Sequence, residues 1–227
     1  MGLVVILLAG LPQLRAATSN QTVVAPILER MGQAFSRMQT LKASLYQQKT
    51  YGQLGITDPV EQGALYLKRK GARDIFIRLE ITQPMARVIT VKDNRFVLFQ
   101  PNINQVIEGK VEKNMASGSS AAGFLSYFFG GISKAAEDYD IAALGDEVVD
   151  DRRTTHLKLT PRAARKGLYH QIDLWVDNQL WMPTQQRFVE ANQDITLLRF
   201  LDINVNILVS DTLFTQQIPS GVQRVRG

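Results

Sequence analysis

The chain has 227 residues, of which 45% are hydrophobic, and it carries a formal net charge of +5. This length suits one domain that buries a sizeable core. The sequence contains no cysteine, which excludes disulfides, thiol catalysis and a lipid-modified N-terminal Cys.

The N-terminus carries an apolar run from Gly2 to Leu14, the length of a secretory h-region and too short to span a bilayer. Small residues follow, and we place a cleavage site near Ala16 or Ala17. We therefore predict a signal peptide over residues 1–17 and a single domain over residues 18–227. The alternatives are a buried first element of the fold or a membrane anchor.

An amphipathic helix of about sixteen residues is predicted next. Its apolar stripe has spacings of three and four, and Pro26 fits its first turn. The stripe consists of Val24, Leu28, Met31, Phe35 and Met38. A first strand is predicted at Ala43–Thr50, followed by a polar loop.

The stretch from Gly63 to Gly109 alternates in the period-two pattern of strands, and we predict four consecutive antiparallel strands in it. Asp93-Asn94 is predicted to form a tight hairpin turn. Both faces of this sheet carry bulky apolar groups, among them Tyr66 and Phe76, so both need a cover. The candidates are a sandwich, a helix-backed sheet, or a curved sheet whose concave side binds an apolar ligand.

An apolar segment, Gly123–Phe129, follows a lead-in of small residues. Because it is apolar on nearly all sides, it is either a core helix or a lid that moves between covered environments. Flanking glycines such as Gly118 and Gly131 would let it hinge.

Strands are predicted again from Thr154 to Pro219, including one at Thr212–Pro219, with a hairpin turn at Asp177-Asn178. Tyr139–Val149 is ambiguous between helix and strand. The apolar segment Gly123–Phe129 is thus inserted into one long antiparallel sheet.

Candidate catalytic residues are few. No nucleophile elbow, phosphate-binding loop or dinucleotide fingerprint is present. His156 and His170 are expected to be exposed strand histidines. The alternative is a metal site, which would need both of them and a carboxylate such as Asp173. Pairs such as Asp150-Asp151 are typical of solvated turns. We predict a binding protein, not an enzyme, with no catalytic or metal site.

The basic cluster between Pro161 and Gly167 is interpreted as a solvated loop, although such a loop can also contact phosphate or an acidic partner. No nucleic-acid-binding module accompanies it, so nucleic acid is not a predicted partner.

The order of these elements, from leader to closing F-x-x-x-I-P-x-G, resembles the LolA family of periplasmic lipoprotein carriers. The resemblance covers about Val24 to Val225. Its most specific pieces are Thr82-Gln83-Pro84, Phe99-Gln100-Pro101 with Gln105-Val106, Ile172 to Asp177, and Phe214 with Pro219 and Gly221.

The resemblance implies a mainly β, α+β fold, in which a strongly curved antiparallel sheet forms an incomplete β-barrel and helices cover its open side. It also implies a periplasmic monomer that carries acylated lipoproteins from the inner to the outer membrane. An inner-membrane ABC transporter would load it and an outer-membrane receptor would unload it. No nucleotide or metal cofactor is expected.

Arg69 matches the family arginine that holds a lid closed in the empty protein. The predicted lid and acyl-chain cavity consist of Arg69, Phe76, Phe96, Phe99, Phe124, Leu125, Phe128 and Phe129. The main alternative is a periplasmic sensor or regulatory domain that binds lipid or lipopolysaccharide. A periplasmic lipid-modifying enzyme is a third hypothesis. It would need a set of catalytic residues brought together by the fold, and the sequence does not reveal one.

Overall fold

The computed structural model describes residues 14–71, 74–111, 136–162 and 169–227. Three predicted features therefore lie wholly or largely outside the described residues. These are residues 1–13 of the predicted signal peptide, the apolar segment Gly123–Phe129, and most of the basic cluster after Pro161.

The described part of the chain is mainly β, with one long helix and thirteen strands. The helix α1 spans Leu14–Arg37, and the strands are β1 Thr40–Tyr51, β2 Ile56–Thr57, β3 Glu61–Arg69, β4 Ile75–Gln83, β5 Arg87–Lys92, β6 Arg95–Gln100, β7 Gln105–Lys110, β8 Tyr139–Val149, β9 Arg152–Pro161, β10 Tyr169–Asp177, β11 Pro183–Glu190, β12 Ile195–Val205 and β13 Gln223–Arg226. No helix among the described residues is long and apolar enough to cross a membrane.

All thirteen strands belong to one sheet, in the order β13-β7-β6-β5-β4-β3-β1-β12-β11-β10-β9-β8, with β2 beside β1. The pairing is antiparallel throughout, except that β13 runs parallel to β7. The two halves of the chain meet where β1 pairs with β12. The first strand therefore lies in the middle of the sheet.

The alternation between Gly63 and Gly109 does produce antiparallel strands, but there are five of them, β3 to β7, and not the predicted four. A 3₁₀ turn at Pro101–Ile103, ended by Asn104 at φ 49°, separates β6 from β7. The predicted turn at Asp93-Asn94 is confirmed, because both residues have positive φ, 50° and 58°.

Two further predictions change at the C-terminal half. Tyr139–Val149, which was ambiguous, is the edge strand β8. The strand predicted at Thr212–Pro219 is wrong: Asp211–Phe214 forms a 3₁₀ helix. Its alternating apolar residues pack against the surface of the sheet instead of pairing with an edge, and Phe214 is only 1% exposed.

The predicted apolar stripe of α1 is confirmed and forms the centre of the core. Met31 is fully buried and Met38 is 2% exposed, and both belong to a cluster with residues of eight strands. The helix begins at Leu14, however, so Pro26 lies inside it and not in its first turn. An internal proline removes one backbone hydrogen bond, and we infer that the packed stripe compensates for that loss.

Replacing Met31 with Ala should lower the free energy of unfolding by about 2–5 kcal/mol, because it leaves a cavity between α1 and the sheet. Urea unfolding measures the change. The control is Val23→Ala on the same helix, where the side chain is 51% exposed and the expected change is within about 0.5 kcal/mol. Equal effects of the two substitutions would contradict the packing of α1 on the sheet.

Candidate functional site

The pairing register divides the sheet into two faces. The helix face is the one that carries Leu65, Leu67 and Leu79 and packs against α1. The outer face is the opposite one, which carries Tyr66 and Arg78, paired across β3 and β4. Apolar contacts partly cover both faces. The sequence predicts this, because both faces carry bulky apolar side chains.

The predicted site residues that the structure describes fall on both faces. Phe96 pairs with Val91, which pairs with Ile77, so Phe96 lies on the helix face. Phe76 and Phe99 lie on the outer face. The other four, Phe124, Leu125, Phe128 and Phe129, are outside the described residues, so their contacts with either face remain predictions.

Arg69, at the end of β3, contacts the C-terminal end of α1. Its Nε donates to the carbonyl of Met38 at 3.2 Å, and its Nη2 donates to the carbonyl of Phe35 at 3.1 Å. The last carbonyls of a helix have no partner within the helix and carry partial negative charge. Arg69 therefore fastens the end of α1 to the sheet.

The helix face also buries a polar side chain that the sequence analysis missed. Gln186 of β11 is 1% exposed, and its Nε2 has no hydrogen-bond partner among the described residues. It pairs in register with Leu174 and Leu198, both buried. Its phase in the alternation of β11, in step with Thr184 and Phe188, is the sequence signal that identifies it as inward-facing.

A groove with a volume of about 820 Å³ lies on the outer face. Its walls come from the sheet and from residues 207–217, which we name the C-terminal strap. The sheet side consists of Lys42, Tyr66, Arg78, Val88 and Phe99. Beside it, Phe76 packs on Phe214 with ring centroids 5.7 Å apart.

Polar side chains of the sheet hold the strap on the outer face. Lys68 Nζ lies 2.6 Å from Asp211 Oδ1, and Lys70 contacts the other carboxylate oxygen. Hydrogen bonds from these two ammonium groups lower the pKa of Asp211 to about 2. Gln216 Nε2 donates to the carbonyls of Val88 and Val97, at 3.2 and 2.9 Å.

Both histidines have polar contacts within the sheet. His156 is not the exposed residue that was expected, because its side chain is 12% exposed and stacks on Trp175 at 4.3 Å. Its two ring nitrogens lie 2.8 Å from Glu147 and 3.1 Å from Asp173, so both are engaged. Hydrogen bonds from Trp175 and then His156 lower the pKa of Glu147. Among the described residues, no group of three or more metal-ligating side chains is placed to hold an ion.

Replacing Gln186 with Leu should raise the free energy of unfolding by about 1–2 kcal/mol, because it removes a buried amide that lacks a partner. Chemical unfolding of the empty protein measures this. Gln185→Leu, one residue earlier and on the other face, is the control and should not stabilise. A destabilised Gln186→Leu protein would mean that the amide is satisfied.

The carboxyl of Asp211 should titrate near pH 2 in the folded protein, compared with an ordinary value of 3.8. Because this pKa is lowered, the ion pairs stabilise the folded state above pH 3.8, and that contribution is lost as the pH falls toward 2. Carboxyl carbon NMR shifts measure the midpoint. Replacing both Lys68 and Lys70 with Met should move it toward 3.8, whereas Lys42→Met should leave it in place.

Comparison with solved structures shows the fold. An uncharacterized conserved protein from Thermus thermophilus is 12% identical with a TM-score of 0.55, and the match covers 90% of this chain and 99% of that one. LprF from Mycobacterium bovis is 11% identical with a TM-score of 0.53, over 89% of this chain and 99% of that one.

A third similar structure is the MucA/MucB complex of Pseudomonas aeruginosa, at 14% identity and a TM-score of 0.53. The match covers 85% of this chain but only 60% of that chain, so this chain spans about three fifths of its length. No curated protein matches the sequence significantly.

The sequence model of one family, described as outer membrane lipoprotein carrier protein LolA, matches residues 36–217. That span is more than half of the chain and runs from the end of α1 to the end of the C-terminal strap. The chain therefore belongs to the LolA family.

Proposed function

We propose that this protein carries lipoproteins through the periplasm, from the inner to the outer membrane, by enclosing their acyl chains between the helix face and its covers. The observation that carries the proposal is the apolar cluster of the helix face. It joins α1 to both halves of the sheet and runs from Ile89 on β5 to Tyr139 on β8. Family membership supports the same activity.

The proposal includes a strongly curved sheet, whose concave side is the helix face. Family membership supports this curvature, and two contacts of α1 locate the helix on that face. The helix contacts the edge strand β8, while its C-terminal end is bonded to Arg69 on β3. A single helix therefore spans the strands of the sheet from β3 to the edge strand β8.

Energy considerations favour a cover that moves. At about 0.8 kcal/mol per buried methylene, one long acyl chain gains on the order of 10 kcal/mol on leaving water. A site of that affinity releases its cargo only if a competing cover or a tighter acceptor changes the balance. We assign the cover to α1 together with Phe124, Leu125, Phe128 and Phe129, which would occupy the cavity when it is empty.

The buried amide of Gln186 suits this role. An acyl chain joined through an ester or amide brings a carbonyl oxygen into an otherwise apolar space. The unpartnered Nε2 would donate to it, which would repay in the loaded state the cost of leaving the amide unpaired in the empty one.

The proposed pathway sets the partners and the location. Residues 1–17 would direct export and be removed, and residues 18–227 would act in the periplasm as a monomer. An inner-membrane ABC transporter would supply the energy for loading, and an outer-membrane receptor would accept the cargo, so the carrier itself needs no nucleotide, metal or catalytic residue.

Native mass spectrometry of the protein from a periplasmic fraction tests the proposal. We expect the mass of residues 18–227 plus a ligand that dissociates as an acylated peptide or lipoprotein. Release of a glycolipid or lipopolysaccharide would instead support a sensor. A ligand-free mass, combined with failure to take up a fluorescent acyl probe, would overturn the carrier function.

Arg69→Leu tests the closed state separately. The substitution removes both bonds that fasten α1, which are worth about 1–2 kcal/mol in total for a partly exposed cation. Retention of an acyl probe should therefore rise about 5- to 30-fold, and transfer to an acceptor membrane should slow.

Arg199→Leu is the matched control, because it breaks a contact with Asp150 on the outer face, away from α1. It should leave retention and transfer unchanged. If Arg69→Leu also transfers its probe at the unmodified rate, Arg69 does not hold the carrier closed.

A further inference from the structure

We propose that the groove on the outer face is a second binding site, and that its ligand is a single anionic amphiphile with one apolar chain and a phosphate or carboxylate head. This site is separate from the one proposed for acyl chains, because the sheet itself lies between them. Tyr66 and Phe99 belong to the groove, whereas Leu65 and Leu67 face α1.

The size and walls of the groove fit such a ligand. A volume of about 820 Å³ lies within the range of about 300–1,000 Å³ that is usual for small-molecule sites. One wall is the sheet, with the rings of Tyr66 and Phe99 and the side chain of Val88. The other wall is the strap, with Val209 and Leu213.

The charges of the groove select an anion. Lys42 and Arg78 line it, and its lining contains no carboxylate. Arg78 is already engaged, since it pairs with Glu80 and donates to the carbonyl of Leu213 at 2.9 Å. Lys42 is exposed, and its described contact is with the ring of Tyr66, 5.9 Å from its Nζ. Its ammonium group is therefore available for an anionic head.

Charges around the groove act in the same direction. Lys68, Lys70 and Lys92 all reach the strap, but the strap itself supplies a single carboxylate, Asp211. This excess of positive charge raises the local concentration of anions and disfavours cationic ligands.

The entrance to the groove explains two exposed apolar residues. Leu208 is completely exposed and Ile207 is 36% exposed, and both line the groove. Apolar side chains at the entrance of a groove provide the contact area that the distal part of an apolar chain would cover. The ammonium group of Lys42 and the apolar entrance together specify an amphiphile, because a free phosphate would contact only the ammonium group.

The test is a titration of the isotopically labelled full chain with dodecyl phosphate, kept below its micelle concentration. Amide NMR shifts locate the site and give the dissociation constant. We expect changes in β1, β3, β4, β5, β6 and residues 207–217. Lys42→Glu should weaken binding by about tenfold or more through charge reversal, and Lys110→Glu, an exposed lysine on β7, should not.

Two further probes separate the contributions of head and chain. Inorganic phosphate and dodecyl glucoside, which is neutral and has the same chain, should each bind far more weakly than dodecyl phosphate. Equal binding of dodecyl glucoside would overturn the assignment of an anionic head, and equal binding of phosphate would overturn the assignment of an amphiphile.

A groove-filling variant keeps this proposal distinct from the carrier function. Val88→Trp places a large side chain in the groove and suits a strand, so it should abolish binding of dodecyl phosphate but leave retention of the acyl probe on the helix face unchanged. Shifts confined to the helix face, or binding that survives Val88→Trp, would overturn the second site.

Discussion

The register between β3 and β4 is the constraint on which both faces of this protein depend. Side chains alternate along a strand, so a slip of one residue would exchange the apolar row behind α1 with the row that lines the groove. Gly63 contributes to fixing this register. A Cβ at Gly63 would lie 1.8 Å from the carbonyl oxygen of Glu80, and the pairing shifts between Gln62 and Gly63. The close backbone approach at this point is possible only for glycine.

Much of the fold could be predicted because it depends on local periodicity. The stripe of α1, the alternation around Leu65 and Ile77, and the turn at Asp93-Asn94 are all readable over a few residues. The wrong predictions occurred where a sequence pattern forms a different structure from the one it usually indicates. The strap alternates like a strand, yet it lies across the sheet surface, and α1 continues through Pro26 because its packing outweighs one lost hydrogen bond.

The candidate sites were less predictable, because they depend on contacts between distant parts of the sequence. Phe76 and Phe99 were chosen for their size, but strand pairing, which sequence alone does not provide, decides which face each one occupies. The contact of Arg69 with the end of α1 joins residues more than thirty positions apart. The pairing of Asp211 with Lys68 joins residues from the two halves of the chain. Gln186 was the exception, since its position in the alternation of β11 could have identified it.

The path of the C-terminal strap has a mechanical consequence. The chain leaves β12 in the middle of the sheet, crosses the outer face, and ends in β13 beside β7 at the edge. The strap is hydrogen-bonded to β3, β4 and β5, so it crosses that half of the sheet and resists its bending. Among the described residues, no comparable segment crosses the outer face of the other half, from β12 to β8. If the sheet widens, as the proposed carrier function requires, it should therefore deform unevenly, with the half under the strap stiffer than the other half.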